Sequence, residues 1–424
     1  MVQGQQTLTA GSVAAPAQGT KGRLRAAFAY PDFRLLLWSN LVTQGGQWTQ
    51  QVGRGWLIVH TLSKAHGELQ LGLTAFCTGA AMLISAPLGG VLADRFDRRR
   101  VIMATQFGLL IVALAMSILV STHSIRLWHM YVLSFASGSV FSMNGPTRQA
   151  LVHDVVEERD LTGAITLNSV VMNSMRVIGP ALGGSLVWVA GVQGTFWVQA
   201  GCYVLAMSQV MQMKKTNRTK GAARGAFVKN LVEGVRYTRR DALLGPLLLI
   251  AFVTGFLGMG YLQLMPAYVT NVLHSDQGRT LGWLLTCEGV GAFIGAVVAT
   301  AMGDYRHRGR LLVSVVIAFG CLIVVLGLVN SLIGAMLLLV VLGAINSTVL
   351  VTNNILIQTN VSDQYRGRVF SLYFLTFSLA PMGVLLGGSI AELISLDTTF
   401  IALGGSVAII VLWLTTRSPS VRRA

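Results

Sequence analysis

Gly90-Val-Leu-Ala-Asp94-Arg95-Phe-Asp97-Arg98-Arg99-Arg100 separates two apolar runs, residues 70–93 and 101–121. Each run reaches the ~20 residues that a helix rising ~1.5 Å per residue needs to cross roughly 30 Å of hydrocarbon. The charges between them cannot enter lipid, so the stretch is a short loop at a membrane surface. A plain stop-transfer cluster needs only the arginines. Asp94 asks for more, because it stands where a helix leaves the membrane, four residues after Gly90. Its carboxylate could meet a helix N-terminus or a basic partner in one conformation and lose it in another, which is how a latch works.

The composition agrees with that reading. Of the 424 residues only 11% are charged while 53% are hydrophobic, and the mean hydropathy is +0.63. Soluble chains carry about 25% charge, so too few charged side chains exist to coat a water-soluble protein of this length. The net charge of +16 would raise nucleic-acid binding in a soluble chain. Here the basic residues fall in breaks between apolar runs without aromatic interleaving, and they report topology instead. Cys77, Cys202, Cys287 and Cys321 each lie inside an apolar run, and the histidines lie near run ends, so neither a disulfide framework nor a metal site is indicated. The basic cluster Lys21, Arg23, Arg25 follows the weakly apolar N-terminal part, the wrong order for a cleaved signal peptide.

Counting apolar runs of spanning length gives twelve, at about 35–61, 70–93, 101–121, 127–147, 162–189, 195–213, 243–271, 280–303, 311–329, 331–358, 369–393 and 399–416. The two tails and alternate loops hold 27 Lys and Arg, against Lys64, Arg126 and Arg279 in the opposite loops. That imbalance places both termini in the cytoplasm. The longest loop carries nine basic residues and separates runs six and seven. Leu71-Gly72 and Leu281-Gly282, Gly79 and Gly289, and Asp94 and Asp304 are each offset by 210; Gly163 and Gly367, and Gly183-Gly184 and Gly387-Gly388, by 204. These offsets indicate a duplication of six spans. The expected fold is an all-α membrane protein of twelve transmembrane helices in two pseudo-symmetric six-helix bundles. Its parts are a disordered cytoplasmic tail (1–27), an N-terminal bundle (28–213), a basic cytoplasmic linker (214–241), a C-terminal bundle (242–416) and a short tail (417–424).

The loop quoted above resembles motif A of the major facilitator superfamily, with Gly90, Asp94, Arg95, Arg98 and Arg99 at matching places. Asp97 stands where that pattern often has glycine. A degraded copy, Gly303-Asp304-Tyr-Arg306-His-Arg308, occurs in the second half. In span five, Gly179-Pro180-Ala-Leu-Gly183-Gly184 is similar to the core of motif C, which the resemblance associates with exporters working as antiporters; Met175 replaces an upstream glycine. Independently of any family, Pro180 removes one backbone hydrogen bond and the glycines thin the helix surface, giving a bend and a close-contact face. Motif B, an arginine inside span four, is missing on this reading, since Arg148 falls at the cytoplasmic end beside Gly145-Pro146. Asp32-Phe-Arg-Leu-Leu36, Gly55-Trp-Leu57, Asn144-Gly-Pro146 and Leu167-Asn-Ser169 resemble the transmembrane secretion effector branch, which includes enterobactin exporters, over about residues 30–415. The resemblance implies export from the cytoplasm across the inner membrane by alternating access, the loop near Asp363 to Arg368 closing against motif A.

Ionisable groups deep in hydrocarbon are costly and mark pathways or partners. Arg54, Arg176 and Glu288 qualify, at similar depth somewhat outside the midplane. Glu288 is the only deep carboxylate; beside Arg54 or Arg176 it could take up and release a proton as its exposure alternates, and a static ion pair holding the halves together is the rival reading. Gln44, Gln47, Gln50 and Gln51 sit on one side of span one. With Gln263 they are expected to line a cavity where Trp48 and Tyr261 stack on a planar cargo, polar packing between helices being the alternative.

No nucleophile triad, Walker sequence or nucleotide-binding domain is present, so ATP-driven transport is excluded for this chain, and the chain is not expected to be an enzyme. The expected function is proton-antiport export of amphipathic small molecules, siderophore or drug-like, by a monomer in the lipid bilayer of the inner membrane. The proton gradient supplies the energy; no cofactor, metal or nucleic acid takes part. An importer or facilitator of the same fold stays open, as does a non-transporting receptor or scaffold.

Overall fold

The computed structural model describes the backbone of residues 20–63, 67–214, 227–302 and 307–423 and, within these, all side chains except those at 20–23, 86–91, 93–95, 227–231, 363, 419 and 423. Helix occupies each of the twelve apolar runs, and no strand occurs among the described residues. A short α1 (Thr20–Ala29) precedes α2 (Pro31–Leu57), α3 (Glu68–Arg95), α4 (Arg98–Ser121), α5 (Leu127–Val155) and α6 (Leu161–Gln212). After the linker come α7 (Phe227–Arg240), α8 (Leu244–Val253), α9 (Gly260–Ala267), α10 (Gly278–Ala301), α11 (Arg308–Leu326), α12 (Leu332–Asn360), α13 (Asp363–Ser378), α14 (Ala380–Leu393), α15 (Leu396–Arg417) and α16 (Pro419–Arg423).

Nine helical stretches among the described residues are long and apolar enough to cross a membrane. One of them, Glu158–Gln212, covers 55 residues and holds two of the twelve runs; it turns at Gly191, whose φ of 68° suits a residue without Cβ. The helices α2 and α5 are outside the nine because polar groups dilute them. Ser39, Asn40, Thr43 and Gln50 on α2, and Ser134, Ser137, Ser142 and Asn144 on α5, are buried against neighbouring helices, where lipid does not reach them. The seventh run is α8 and α9 joined through a π-helical turn, Thr254–Gly258, and followed by another, Tyr268–Val272. Such turns loosen the helical ladder and are frequent at functional sites.

The N-terminal end differs from the expectation of a disordered tail over 1–27, and the short C-terminal tail is ordered as well. Residues 1–19 lie outside the described set, but 20–27 form most of α1, with Ala27 fully buried among Phe33, Leu36 and Val210. Just beyond it the Tyr30 hydroxyl donates to Asp160 over 3.0 Å. At the other end α16 buries Val421 in a cluster with Val316 and Leu414, and Ser420 Oγ donates to the Ala242 carbonyl over 2.6 Å. Apolar side chains too few to register as a pattern therefore order both ends. Residues 227–240 of the linker are likewise helical.

Helix spacing within the second half is set by small residues. On α10, Gly291 and Gly295 face the Val340 and Ala344 carbonyls of α12, and Gly343 of α12 faces the carbonyl of Glu288. A Cβ at any of the three would run into backbone, which cannot rotate away. Gly295→Val is therefore expected to cost at the upper end of the ~1–3 kcal/mol typical of overpacking, read as a lower thermal midpoint in detergent. An unchanged midpoint would show that the two helices can separate freely.

Candidate functional site

Among the described residues, most close contacts between the first and second halves of the chain lie toward the end remote from the basic loops. The α6–α10 seam is tightly packed: a Cβ built on Gly184 would stand 2.6 Å from Gly282 Cα, and one on Gly282 would stand 2.9 Å from the Pro180 carbonyl. On the α3–α14 seam Gly72 abuts Leu385, with 3.0 Å from its Cβ position to the Leu385 Cα. Polar contacts cross at the same end. Asn271 Nδ2 donates to Glu68 Oε1 over 2.6 Å, His60 Nε2 and Thr270 Oγ1 are 3.1 Å apart, and the Leu69 N–H donates to Glu392 over 3.5 Å. Val52, Trp56, Ile58 and Val187 from the first half pack with Leu264, Tyr268, Leu281 and Leu284 from the second in one apolar core. This end is closed.

Just inside that core, Arg176 Nη2 donates to Glu288 Oε1 over 2.6 Å, a salt bridge from α6 to α10 across the two halves. The Glu288 side chain is 4% exposed and that of Arg176 19%. Of the two partners left open by the sequence, the guanidinium of Arg176 is the one in contact. Nearby, the Tyr261 hydroxyl is buried without a hydrogen-bond partner among the described residues. Arg54 sits apart, in a narrow cavity between the halves lined with Gln51, Thr74, Gln263 and Pro266.

The expected cargo residues divide accordingly. Gln51 and Gln263 meet at the Arg54 cavity. Gln47 donates to Tyr203 over 2.9 Å, inside the first half, and Gln50 is buried. Trp48 packs on Gly179, and Tyr261 is 1% exposed with its ring edge-on to Phe319 at 6.1 Å between centroids. Gln44 is half-buried on α2. The glutamines thus serve helix packing at Gln47 and Gln50, and cavity lining at Gln51.

Motif C lies at the closed seam: Gly179 and Gly183 receive Trp48, Thr49 and Val52 of α2, while Gly184 and the Pro180 carbonyl meet α10. For motif A the side chains of Asp94, Arg95 and Asp363, the region at Gly90, and Asp304 lie outside the described residues. The remaining arginines are held within the first half. Arg98 pairs with Asp154 at 2.6 Å and donates to the Ala150 carbonyl, and Arg99 Nε donates to the Val210 carbonyl over 3.0 Å. Asp97, in place of glycine, caps α4 by accepting the Arg99 N–H over 2.9 Å. Arg368 pairs with Glu233 of α7 at 2.9 Å.

The placement of Arg148 needs correction. Helix α5 continues to Val155, so Arg148 is inside the helix and only 8% exposed. Its Nε donates to Asn144 over 2.6 Å, and its Nη2 reaches Ser39 and Thr43 at 3.1 and 3.2 Å. Gln106 also donates to Thr43 over 2.7 Å, tying α2, α4 and α5 into one network. Counting apolar residues ended the span at 147, because a polar residue facing another helix looks like a loop residue in sequence. Glu68, 2% exposed, lies just outside the apolar run 70–93, and Asn346, fully buried one turn from Gly343, is a single polar residue in an apolar stretch; run counting singles out neither.

Membrane-length helices in two halves that bury charge between them and close at one end have the major facilitator fold. Comparable backbones are a nucleoside transporter NupG mutant (TM-score 0.72, 12% identity, 91% of this chain and 99% of that one) and a bacterial homologue of the human lysosomal transporter Spinster (TM-score 0.73, 14% identity, 94% and 99%). The chain belongs to the transmembrane secretion effector family, whose sequence profile matches residues 24–422. It is 25% identical to the staphyloferrin A transporter of Staphylococcus aureus and to the multidrug efflux pump Tap of Mycolicibacterium fortuitum, in each case over 87% of this chain and 91% of the relative. It is also 25% identical to the enterobactin exporter EntS of Shigella flexneri, over 73% of both chains. The protein is an efflux transporter of this class, a multi-pass membrane protein and not an enzyme.

Proposed function

We propose that the protein exports an amphipathic small molecule, siderophore or drug-like, across the inner membrane by proton antiport, and that Glu288 carries the proton. The observation that carries this reading is the buried Arg176–Glu288 bridge between the halves. The relatives named for staphyloferrin A, enterobactin and multiple drugs support the cargo class. With the basic loops and both termini in the cytoplasm, the closed end faces outward and cargo enters from the cytoplasm. Opening the outer end separates α6 from α10 and breaks the bridge. Glu288 then takes a proton from outside, replacing the guanidinium as its counter-charge. Reclosure brings Arg176 back, and the proton leaves on the cytoplasmic side. Each cycle thus exchanges a proton for cargo, with Gln51, Arg54 and Gln263 beside the path.

Inverted vesicles energised acid-inside test it. Adding ethidium or enterobactin should discharge the pH gradient in the wild type. Glu288→Gln should abolish that discharge while the protein stays folded. Cargo movement indifferent to the pH gradient, and equal in Glu288→Gln, would favour a facilitator and sink the antiport reading.

A further inference from the structure

Helix α7 lies against the first turns of α13. A Cβ on Gly234 would stand 2.9 Å from the Arg368 carbonyl, and the Tyr237 and Tyr365 rings stack at 4.3 Å between centroids with 6° between planes. Between the helices opens a cavity of about 450 Å³ lined by Glu233, Arg236, Tyr237, Arg240, Tyr365 and Arg368. Glu233 is engaged with Arg368, whose guanidinium also lies over the Tyr365 ring at 5.0 Å. Arg236 and Arg240, one helical turn apart and exposed, have no counter-ion described among these residues. Among the described lining residues three guanidiniums therefore face one carboxylate, a surplus of two positive charges.

The level of this cavity in the fold decides what fills it. Tyr365 and Arg368 precede the apolar run 369–393, so the cavity stands where span eleven enters hydrocarbon. Arg417 over the Trp413 ring, 5.5 Å from its centroid, is an interfacial anchor at the cytoplasmic end of α15. On α7, Val232 and Val235 are exposed beside the arginines and offer an apolar surface next to the charged one. We infer that the cavity between α7 and α13 binds the phosphodiester headgroup of an anionic phospholipid. Arg236 and Arg240 hold the phosphate oxygens, the stacked tyrosines form one wall, and the lipid pins the linker helix to the second half of the chain. The inference does not depend on cargo, coupling ion or direction of transport.

Native mass spectrometry of the full-length, delipidated protein in detergent tests it with phosphatidylglycerol, phosphatidylcholine and inorganic phosphate as probes. Wild type should retain phosphatidylglycerol over phosphatidylcholine, and inorganic phosphate at equal concentration should not displace it. The pair Arg236→Gln with Arg240→Gln should lower retention about ten- to thirtyfold, and Arg240→Glu alone should lower it as well. Arg417→Gln, outside the cavity, should leave it unchanged. Equal retention in the double variant, or an equal loss in Arg417→Gln, would overturn the site. Displacement by inorganic phosphate would mean that a soluble phosphate compound is the ligand and would overturn the lipid assignment.

Discussion

Gly184→Leu is expected to hold the transporter with its outer end open and to abolish export. The Gly184 Cβ position is 2.6 Å from Gly282 Cα and 3.1 Å from the Gly278 carbonyl; the Gly282 Cβ position is 2.7 Å from Gly184 Cα. These are backbone atoms on both sides, so no rotamer change makes room for a side chain. An isobutyl group must separate α6 from α10, and that seam also carries the Arg176–Glu288 bridge. Inverting a two-state population from 99:1 to 1:99 takes ~5.5 kcal/mol. Overpacking alone costs ~1–3 kcal/mol, and loss of a buried bridge adds to it. The readout is a short thiol cross-linker between His60→Cys and Thr270→Cys, whose parent side chains are 3.1 Å apart, with the four native cysteines replaced by alanine. Cross-linking should be efficient in that background and nearly absent once Gly184→Leu is added, with Gly184→Ala between them. If cross-linking and export both survive the leucine, the closed seam has no part in the cycle.

Much of this architecture is legible in the sequence because lipid is a demanding solvent. A run of ~20 apolar residues has few alternatives to a spanning helix, and offsets of 210 and 204 link residues of the two halves. Deep charges are legible for the same reason, which is why Arg176 and Glu288 stand out before any coordinates. The partner of Glu288 is not legible: Arg54 and Arg176 have equal standing by depth, and only the crossing of α6 over α10 chooses between them. Polar residues at run edges fail differently. Arg148 and Glu68 read as loop, yet each is buried by neighbours contributed from distant segments, Ser39 and Thr43 in one case and Asn271 in the other. For Gln47, Gln50 and Gln51, helical phase gives one side of α2, but that side meets packed protein at Gln47 and Gln50 and the cavity at Gln51. The linker shows the converse limit. Its charge marks a loop, while its helix becomes visible only with α13 beside it.

Removing one member of the Arg176–Glu288 bridge should be worse for the fold than removing both. Arg176→Ala leaves a carboxylate, 4% exposed, without its guanidinium, and Glu288→Ala leaves the guanidinium without its carboxylate. Such uncompensated burial costs ~3–5 kcal/mol in general, whereas replacing both members with apolar groups is often close to neutral. Arg176→Met with Glu288→Met is therefore expected to regain most of the thermal midpoint lost in either alanine variant, and the cycle built from matched single and double methionine variants should give a favourable interaction energy of ~0.5–3 kcal/mol. Transport then separates the two roles that the bridge could play. If it is a clamp and nothing more, the apolar pair restores export along with stability, since the methionine side chains can hold the seam by packing. If Glu288 carries the proton, the double variant is stable and closed at its outer end but does not discharge a pH gradient when cargo is added. Stability recovered with coupling still lost is the expected result; recovery of both would reduce the bridge to a fastening and move the coupling site elsewhere in the protein.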